Sequence, residues 1–179
     1  MMIRMFIHKV ALDPQGRALV FLTDEDNERV LPIWIGIAEA QAIVSKMQDL
    51  KYPRPMTHDL LRSVIEETGH TVTHVRVTHL EESTFFAIID LDGPMGALEI
   101  DARPSDAIAL ALRVGAPIYV AEEVLEQAQR PSDKAEEEEM ETFRRLMSTM
   151  STDVETFGPS AGSDSHAGPD DEASEPRED

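Results

Sequence analysis

Apolar and polar residues alternate over the first 35 positions of the chain, and apolar residues then recur at helical spacing. Alternation with a period of two is typical of half-buried strands, whereas apolar residues three and four apart indicate a helix. This first part predicts strands over 2–12, 17–23 and 29–35, followed by a helix over 38–50 whose inward residues are Ala40, Ile43, Val44 and Met47. The chain is therefore expected to open as a three-stranded meander covered by a helix.

The same order of elements recurs after residue 56. The pattern predicts a helix over 57–69, strands over 71–80, 84–91 and 97–101, a helix over 104–114, a short strand over 118–121 and a short helix over 122–129. Two meander-plus-helix units in one domain predict an α+β fold with a mainly antiparallel sheet. The strand over 118–121 is also compatible with parallel pairing.

The composition changes after the predicted domain, residues 1–129. Residues 136–150 predict an amphipathic helix, because apolar side chains recur at helical spacing at Met140, Phe143, Leu146, Met147 and Met150. Such a helix must dock on its own subunit, dock on a partner or remain marginal, and docking is the preferred expectation. Residues 158–179 are almost all Gly, Pro, Ser, Ala, Asp and Glu, which predicts a disordered acidic tail.

Charge narrows the possible functions. The formal net charge is −19; residues 1–128 hold 11 Lys and Arg against 20 Asp and Glu, and residues 129–179 hold 5 against 15. Passive binding of nucleic acid through phosphate neutralisation is therefore disfavoured, although a metal ion bridging carboxylates to phosphate would escape this objection. The sequence contains no cysteine, which excludes disulfides and thiolate zinc sites. With no signal peptide and no long apolar run, the protein is expected to be cytoplasmic, away from membranes.

The most informative segment is 101–113, where a strand turns into an apolar helix. Asp101, Arg103 and Asp106 lie within six residues, and Pro104 suits the first helical position. Asp106 falls in the first turn, where a negative charge is stabilised by the helix dipole. A polar cluster at the start of a buried helix would be held rigidly, as a binding or catalytic site requires. A well-capped helix with a structural Arg–Asp pair is the simpler interpretation.

Residues 54–61 partly repeat this arrangement. Arg54 and a proline again precede an acidic residue, Asp59, at the start of an amphipathic helix, with Thr57 as the expected N-cap. If the fold brings the two helix starts together, they form a pocket with carboxylates for a metal and N–H and guanidinium groups for a phosphate. The sequence alone does not establish that they converge.

Several single residues remain candidates. His58 opens the second helix and suits general-base chemistry or metal binding, with an exposed first-turn position as the equal alternative. His74 and His79 are expected on opposite faces of a strand, which makes a chelating pair improbable. Trp34 is expected in the core rather than as a stacking platform. Glu39 lies early in its helix, where it can face the same pocket.

Five blocks in this order resemble the bifunctional nuclease domain family. They are LPIWIG at 31–36, EAQAI at 39–43, RP at 54–55 with THDLL at 57–61, DARPSDAIALALR at 101–113 and APIYVAEEV at 116–124. The resemblance covers about residues 2–128 and implies cleavage of both DNA and RNA, so nucleic acid would be a transient substrate.

Two functions follow from the residues and the resemblance. In the first, a metal-dependent nuclease, Asp101 and Asp106, helped by Asp59 or Glu39, hold Mg²⁺ or Mn²⁺. Arg54 and Arg103 would then stabilise phosphoryl charge, and His58 would assist proton transfer. In the second, the helix starts form a non-catalytic module that binds an anion or a protein. Exposed meander edges and the amphipathic helix favour a homodimer or higher homo-oligomer.

Overall fold

The computed structural model describes residues 1–128. The elements in chain order are β1 (Met2–Leu12), β2 (Ala18–Thr23), β3 (Val30–Ile35), α1 (Ile37–Met47), α2 (Thr57–Glu67), β4 (Thr71–Glu81), β5 (Thr84–Asp92), β6 (Leu98–Ala102), α3 (Pro104–Val114), β7 (Ile118–Ala121) and α4 (Glu122–Ala128). Each predicted strand and helix within this range is present, with ends that differ from the prediction by at most three residues.

One seven-stranded sheet joins the two meanders in the order β3-β2-β1-β7-β4-β5-β6. The short strand β7 lies between the meanders, antiparallel to β1 and parallel to β4. The remaining neighbours pair antiparallel, so the predicted α+β class with a mainly antiparallel sheet is confirmed. The parallel pairing left open for the strand at 118 is also confirmed.

The main core lies on the face of the sheet that carries the helices. Apolar residues of α1, α3 and α4 join the inward residues of the strands in one cluster, with α3 at its centre. Eight of the eleven α3 residues are buried, as its apolar sequence predicts. A helix buried to this extent fixes its own first turn rigidly against the sheet.

A smaller apolar cluster lies on the opposite face of the sheet. It consists of the buried residues Ala11, Leu19 and Phe21 with the half-buried Val30, and it is called the second cluster below. Because alternate residues of a strand point to opposite faces, Leu19 and Phe21 face away from α1 while their β2 neighbours face the main core. β2 is consequently buried at all six positions.

Two predictions of burial are wrong. Met47 is exposed, and Ser45 is buried in α1 instead, where its hydroxyl hydrogen-bonds the Tyr52 hydroxyl at 2.8 Å. Trp34 is 42% exposed rather than core, because it lies at the sheet edge on the face away from α1, whereas Leu31 and Ile33 of the same strand point into the main core. The Arg17 guanidinium lies 4.1 Å from the centre of the Trp34 ring. The apolar face of α2 points outward, so that Leu60 is exposed.

The prediction for the strand histidines is wrong as well. A register shift between Val77 and His79 places His79 opposite Phe86, whereas His74 is opposite Asp90. Phe86 and Asp90 are four residues apart in β5 and share one face, so the two histidines also share a face. The bulge in β4 therefore cancels the alternation on which the prediction depended.

The predicted amphipathic helix over 136–150 and the acidic tail over 158–179 lie outside the described residues, and both stay predictions. No helix within residues 1–128 is long and apolar enough to span a membrane.

Candidate functional site

The starts of α2 and α3 come together. His58 at the start of α2 and Asp106 in the first turn of α3 are 48 positions apart, and His58 Nε2 lies 3.0 Å from Asp106 Oδ1. The His58 side chain is only 9% exposed, so its ring is enclosed between the helices. The two helix starts therefore converge in the fold, as a shared site requires.

Arg103 extends this contact to a third helix. Its Nε donates to Asp106 Oδ2 at 2.7 Å, and its Nη2 donates to Glu39 Oε1 in α1, also at 2.7 Å. Glu39, His58, Arg103 and Asp106 thus form one connected network, called the helix-start cluster below. Arg103 is its outward member, with 66% of the side chain exposed, whereas Glu39 is largely buried.

Local sequence explains how the two acidic members are positioned. Pro104 occupies the first turn of α3, and Asp106 follows it there, as predicted from the helix-start pattern. Gly36 precedes α1, and a Cβ atom at that position would collide with Glu39 Oε2. The absence of a side chain at Gly36 therefore leaves room for the Glu39 carboxylate to lie beside Arg103.

The cluster holds fixed charges. Burial alone would raise the pKa of Asp106, but hydrogen bonds from Arg103 and His58 and the Arg103 charge outweigh it, so the pKa is lowered. The same hydrogen bond to Asp106, followed by that to Glu39, raises the pKa of Arg103 further above its usual range. At neutral pH Asp106 is thus a carboxylate and Arg103 a cation.

A second ion pair connects α2 and α3. Asp59 Oδ1 accepts a hydrogen bond from Arg113 Nε at 2.6 Å, and Asp59 Oδ2 accepts one from the Met56 backbone N–H at 3.0 Å. Met56, not Thr57, is the N-cap, so the N-cap prediction is wrong. The sequence did not lead us to expect Arg113 in this site. A single arginine near the end of a buried apolar helix nevertheless indicates that its charge needs a partner.

Two predicted site residues lie outside the helix-start cluster. Asp101 pairs with Ile88 on the sheet face opposite to the helices, the face that also carries Arg76. Arg54 is exposed in the segment before α2, and within residues 1–128 no hydrogen bond or ion pair joins it to the cluster. The structure therefore brings together Glu39, His58 and Asp106 but separates Asp101 from them.

The predicted carboxylates do not fit a shared cation. No group of three or more His, Asp or Glu residues within 1–128 is placed to hold a metal ion. The carboxylates of Glu39 and Asp106 already accept hydrogen bonds from one guanidinium, and Asp59 binds Arg113 instead. Dependence on Mg²⁺ or Mn²⁺ therefore stays a prediction without a ligand set that supports it.

A separate polar cluster on the opposite sheet face was also missed. Arg76 donates two hydrogen bonds to Asp90, at 2.7 and 2.6 Å, and a third to Glu99 at 2.8 Å, while His74 lies 3.3 Å from Asp90. Cross-strand pairing of β4, β5 and β6 places these groups together. The cluster offers matched control residues for the helix-start cluster.

Acid should weaken the fold through Asp59. Burial raises its pKa, but the Met56 and Arg113 hydrogen bonds lower it more, so the folded pKa lies below the unfolded value of 3.8. As the pH falls toward 3.8, Asp59 is protonated in the unfolded state before it is protonated in the folded state. The contribution of Asp59 to stability is therefore lost as the pH falls. Urea unfolding should show constant stability from Asp59 above about pH 5 and a decline toward pH 3. Asp59→Asn should show a shallower decline; an equal slope in both proteins would contradict this assignment.

Comparison with known proteins identifies the class. Residues 20–133 match the bifunctional nuclease domain, which is more than half of the chain, and the chain therefore belongs to the bifunctional nuclease domain family. β1 precedes the matched region but pairs with β2 and β7 within the same sheet. The resemblance inferred from the sequence blocks is thus confirmed.

The relatives that match this chain include an uncharacterized protein and proteins that are named as nucleases. The chain is 40% identical over 149 residues to an uncharacterized protein of Mycobacterium tuberculosis strain H37Rv, covering 78% of this chain and 89% of that protein. It is 29% identical over 106 residues to bifunctional nuclease 1 of Arabidopsis thaliana and 24% identical to bifunctional nuclease 1 of Oryza sativa subsp. indica. Those matches cover 58% of this chain and only 33% and 32% of the plant proteins.

Proposed function

We propose that this chain is a nuclease that hydrolyses phosphodiester bonds in DNA, RNA or both, with the helix-start cluster as its site. Family membership and the names of the plant relatives support the reaction class. The observation that carries the choice of site is the His58–Asp106 hydrogen bond, because it joins the two segments that the sequence marks as chemically distinctive.

Arg103 is suited to bind the phosphate. Its guanidinium is permanently charged, and two carboxylates hold it at Nε and Nη2 while most of the side chain faces solvent. A cation held in place before the substrate arrives stabilises developing phosphoryl charge without a cost of reorganisation. Glu39 and Asp106 therefore act as positioning residues for Arg103.

His58 is suited to move a proton. Because the Asp106 carboxylate accepts a hydrogen bond, a neutral imidazole carries its proton on Nε2 and leaves Nδ1 as an acceptor. A carboxylate that fixes the tautomer and orientation of a histidine is a common arrangement around a general base. His58 would activate the attacking water, and Asp106 would orient it and stabilise the imidazolium that forms.

The test is a cleavage assay on highly purified protein with single- and double-stranded DNA and RNA. Asp106→Asn keeps the size of the side chain and one oxygen that can accept the Arg103 hydrogen bond, so the free energy of unfolding should fall by only about 1–3 kcal/mol. Cleavage should nevertheless fall by roughly 100-fold or more, because the charge that orients His58 and Arg103 is gone. EDTA in parallel reactions measures metal dependence separately.

Asp90→Asn is the matched control. It makes the same chemical change to an arginine-bound carboxylate on the opposite face of the sheet, and it should leave cleavage unchanged. Undiminished cleavage by Asp106→Asn would contradict the proposed site. Equal losses in both variants would point to a general effect on the fold.

A non-catalytic anion- or protein-binding module is the second candidate. The observation in its favour is that Glu39, Asp59 and Asp106 are all engaged by arginines in contacts that also hold α1, α2 and α3 together. Such a network can serve stability alone. This function would be supported if purified wild-type protein cleaved none of the four substrates with or without added Mg²⁺ or Mn²⁺.

A further inference from the structure

The first meander and β7 hold positive charge without negative charge. Their four strands, β1, β2, β3 and β7, contain Arg4 and Lys9 but no aspartate or glutamate, and Arg17 directly precedes β2. Residues 1–128 as a whole hold 20 Asp and Glu against 11 Lys and Arg. The fold therefore separates charges that the total hides, and these strands form a region suited to anions within an acidic domain.

Two exposed aromatic rings of this region each carry a cation. The Arg4 guanidinium lies 5.1 Å from the centre of the Phe6 ring, and that of Arg17 lies 4.1 Å from the centre of the Trp34 ring. Asp13 holds Arg17 at Nε, yet 54% of the Arg17 side chain stays exposed. Phe6 is 40% exposed and Trp34 42%. Rings and guanidinium planes are the surfaces on which unpaired nucleobases stack.

Both rings face the same side of the sheet, away from the described helices. Met5 of β1 and Ile33 of β3 point into the main core, so that their neighbours Phe6 and Trp34 point to the opposite face. The cross-strand partners of the two rings are four residues apart in β2, and Lys9 pairs with the residue midway between those partners. The rings thus lie roughly 16 Å apart on a diagonal that passes Lys9 and the second cluster.

The positive region ends at the centre of the sheet. Tyr119 of β7 pairs with Arg4 on one side and with Arg76 of β4 on the other, and the His74 ring contacts Tyr119 edge-to-face at 5.7 Å. Arg76 is already neutralised by Asp90 of β5. An anion on this face is therefore attracted to the half formed by β1, β2, β3 and β7.

Two of the cations in that half lack a carboxylate partner. Six of the 11 lysines and arginines of residues 1–128 form ion pairs, whereas no carboxylate in that range pairs with Arg4 or Lys9. We propose that this surface binds single-stranded nucleic acid, with bases stacked on Phe6 and Trp34 and phosphates paired with Arg4, Lys9 and Arg17. The proposal does not require the helix-start cluster to be catalytic, because the two surfaces lie on opposite faces of the sheet.

The fluorescence of Trp34, the only tryptophan of the chain, reports on base stacking directly. Titration of the full-length protein with an oligothymidylate of about 12 nucleotides should quench this emission to saturation, because a stacked base quenches indole fluorescence. An abasic oligomer of the same length and charge should bind at least about five-fold more weakly, since it offers phosphates without bases. Equal affinity for both oligomers, or no quenching by either, would overturn the proposal.

Anisotropy of the same oligothymidylate with a fluorescent label measures the variants. Trp34→Ala should weaken binding by roughly 5- to 150-fold, the loss of one stacked base, whereas Trp34→Phe keeps a ring and should retain most of the affinity. Arg4→Gln should flatten the dependence of log affinity on log salt by about 0.7, the loss of one phosphate contact. Arg62→Gln on the helix side is the control, and it should change neither quantity. With folding verified by circular dichroism, unchanged binding by both Trp34→Ala and Arg4→Gln would overturn the proposal.

A charge-matched polyglutamate tests the other anion that fits the charges, an acidic polypeptide. It should compete at least about ten-fold less well than the oligothymidylate, because it cannot stack; equal competition would overturn the proposal in favour of an acidic protein partner. Binding is measured without reference to cleavage, so that the two proposals fail separately. Quenching of Trp34 by a protein that cleaves no substrate would support this surface and contradict the proposed nuclease. Cleavage without quenching would do the reverse.

Discussion

Replacing Arg113 by alanine is expected to reduce the free energy of unfolding by about 3 kcal/mol. Its side chain is 4% exposed; Nε donates to Asp59 Oδ1, and Nη1 donates to the carbonyl oxygens of Ala42 and Ala109 at 3.2 and 2.8 Å. The variant would leave the Asp59 carboxylate without its charge partner and a cavity among three helices. Partial exposure of Asp59 keeps the loss near the lower end of the range for a broken buried pair.

Urea unfolding monitored by circular dichroism measures this loss. Arg62→Ala is the control, because it removes an arginine from an exposed pair with Glu66 in α2 and should cost less than about 0.5 kcal/mol. Arg113→Lys should fall between the two, since an ammonium cannot reproduce the guanidinium geometry. If Arg113→Ala cost no more than Arg62→Ala, the three helices would not depend on this arginine.

The sequence predicted those elements best whose ends are chemically marked. α3 begins at Pro104 and is followed by Gly115 at φ 71°, a conformation that favours glycine, and the apolar residues between them fit only a buried helix. The two meanders were equally clear, because turn residues separate runs with a period of two. Such signals are local, so strand and helix order could be predicted without knowing the tertiary structure.

Features that depend on strand order could not be predicted in the same way. Trp34 is exposed because strand order and register place it at the sheet edge on the face away from α1. Asp101 is separated from Asp106 because pairing with β5 decides which face of β6 it occupies. A shift of one residue would have placed Asp101 on the helix side.

The candidate site could be predicted only in part, again because its assembly depends on tertiary packing. The recurrence of Arg-Pro before an acid marked both helix starts, but only packing brings His58 within hydrogen-bonding distance of Asp106. The predicted metal set failed to assemble because Arg103 and Arg113 engage the carboxylates that were assigned to a cation. In an acidic domain with few arginines, the position of each arginine decides what the carboxylates can do.

His58→Ala is expected to produce the largest change in activity, a loss of about 10²- to 10⁴-fold in cleavage rate at saturating substrate. The proposed general base is removed, while Arg103, positioned by Glu39 and Asp106, remains to bind the phosphate, so the loss should appear in kcat more than in KM. The His58 ring is buried, and its removal also costs a hydrogen bond of about 1–3 kcal/mol. Circular dichroism at the assay temperature must therefore show that the variant is folded.

A chemical rescue separates catalysis from a structural role. Added imidazole should restore part of the rate in His58→Ala, since a free base can enter the space left by the ring, whereas a purely structural histidine would give no such rescue. His74→Ala is the control, because it removes an imidazole beside Asp90 on the opposite face and should leave kcat unchanged. Full cleavage by His58→Ala would place the general base outside the helix-start cluster, because the carboxylates of Asp106 and Glu39 are both bound to Arg103.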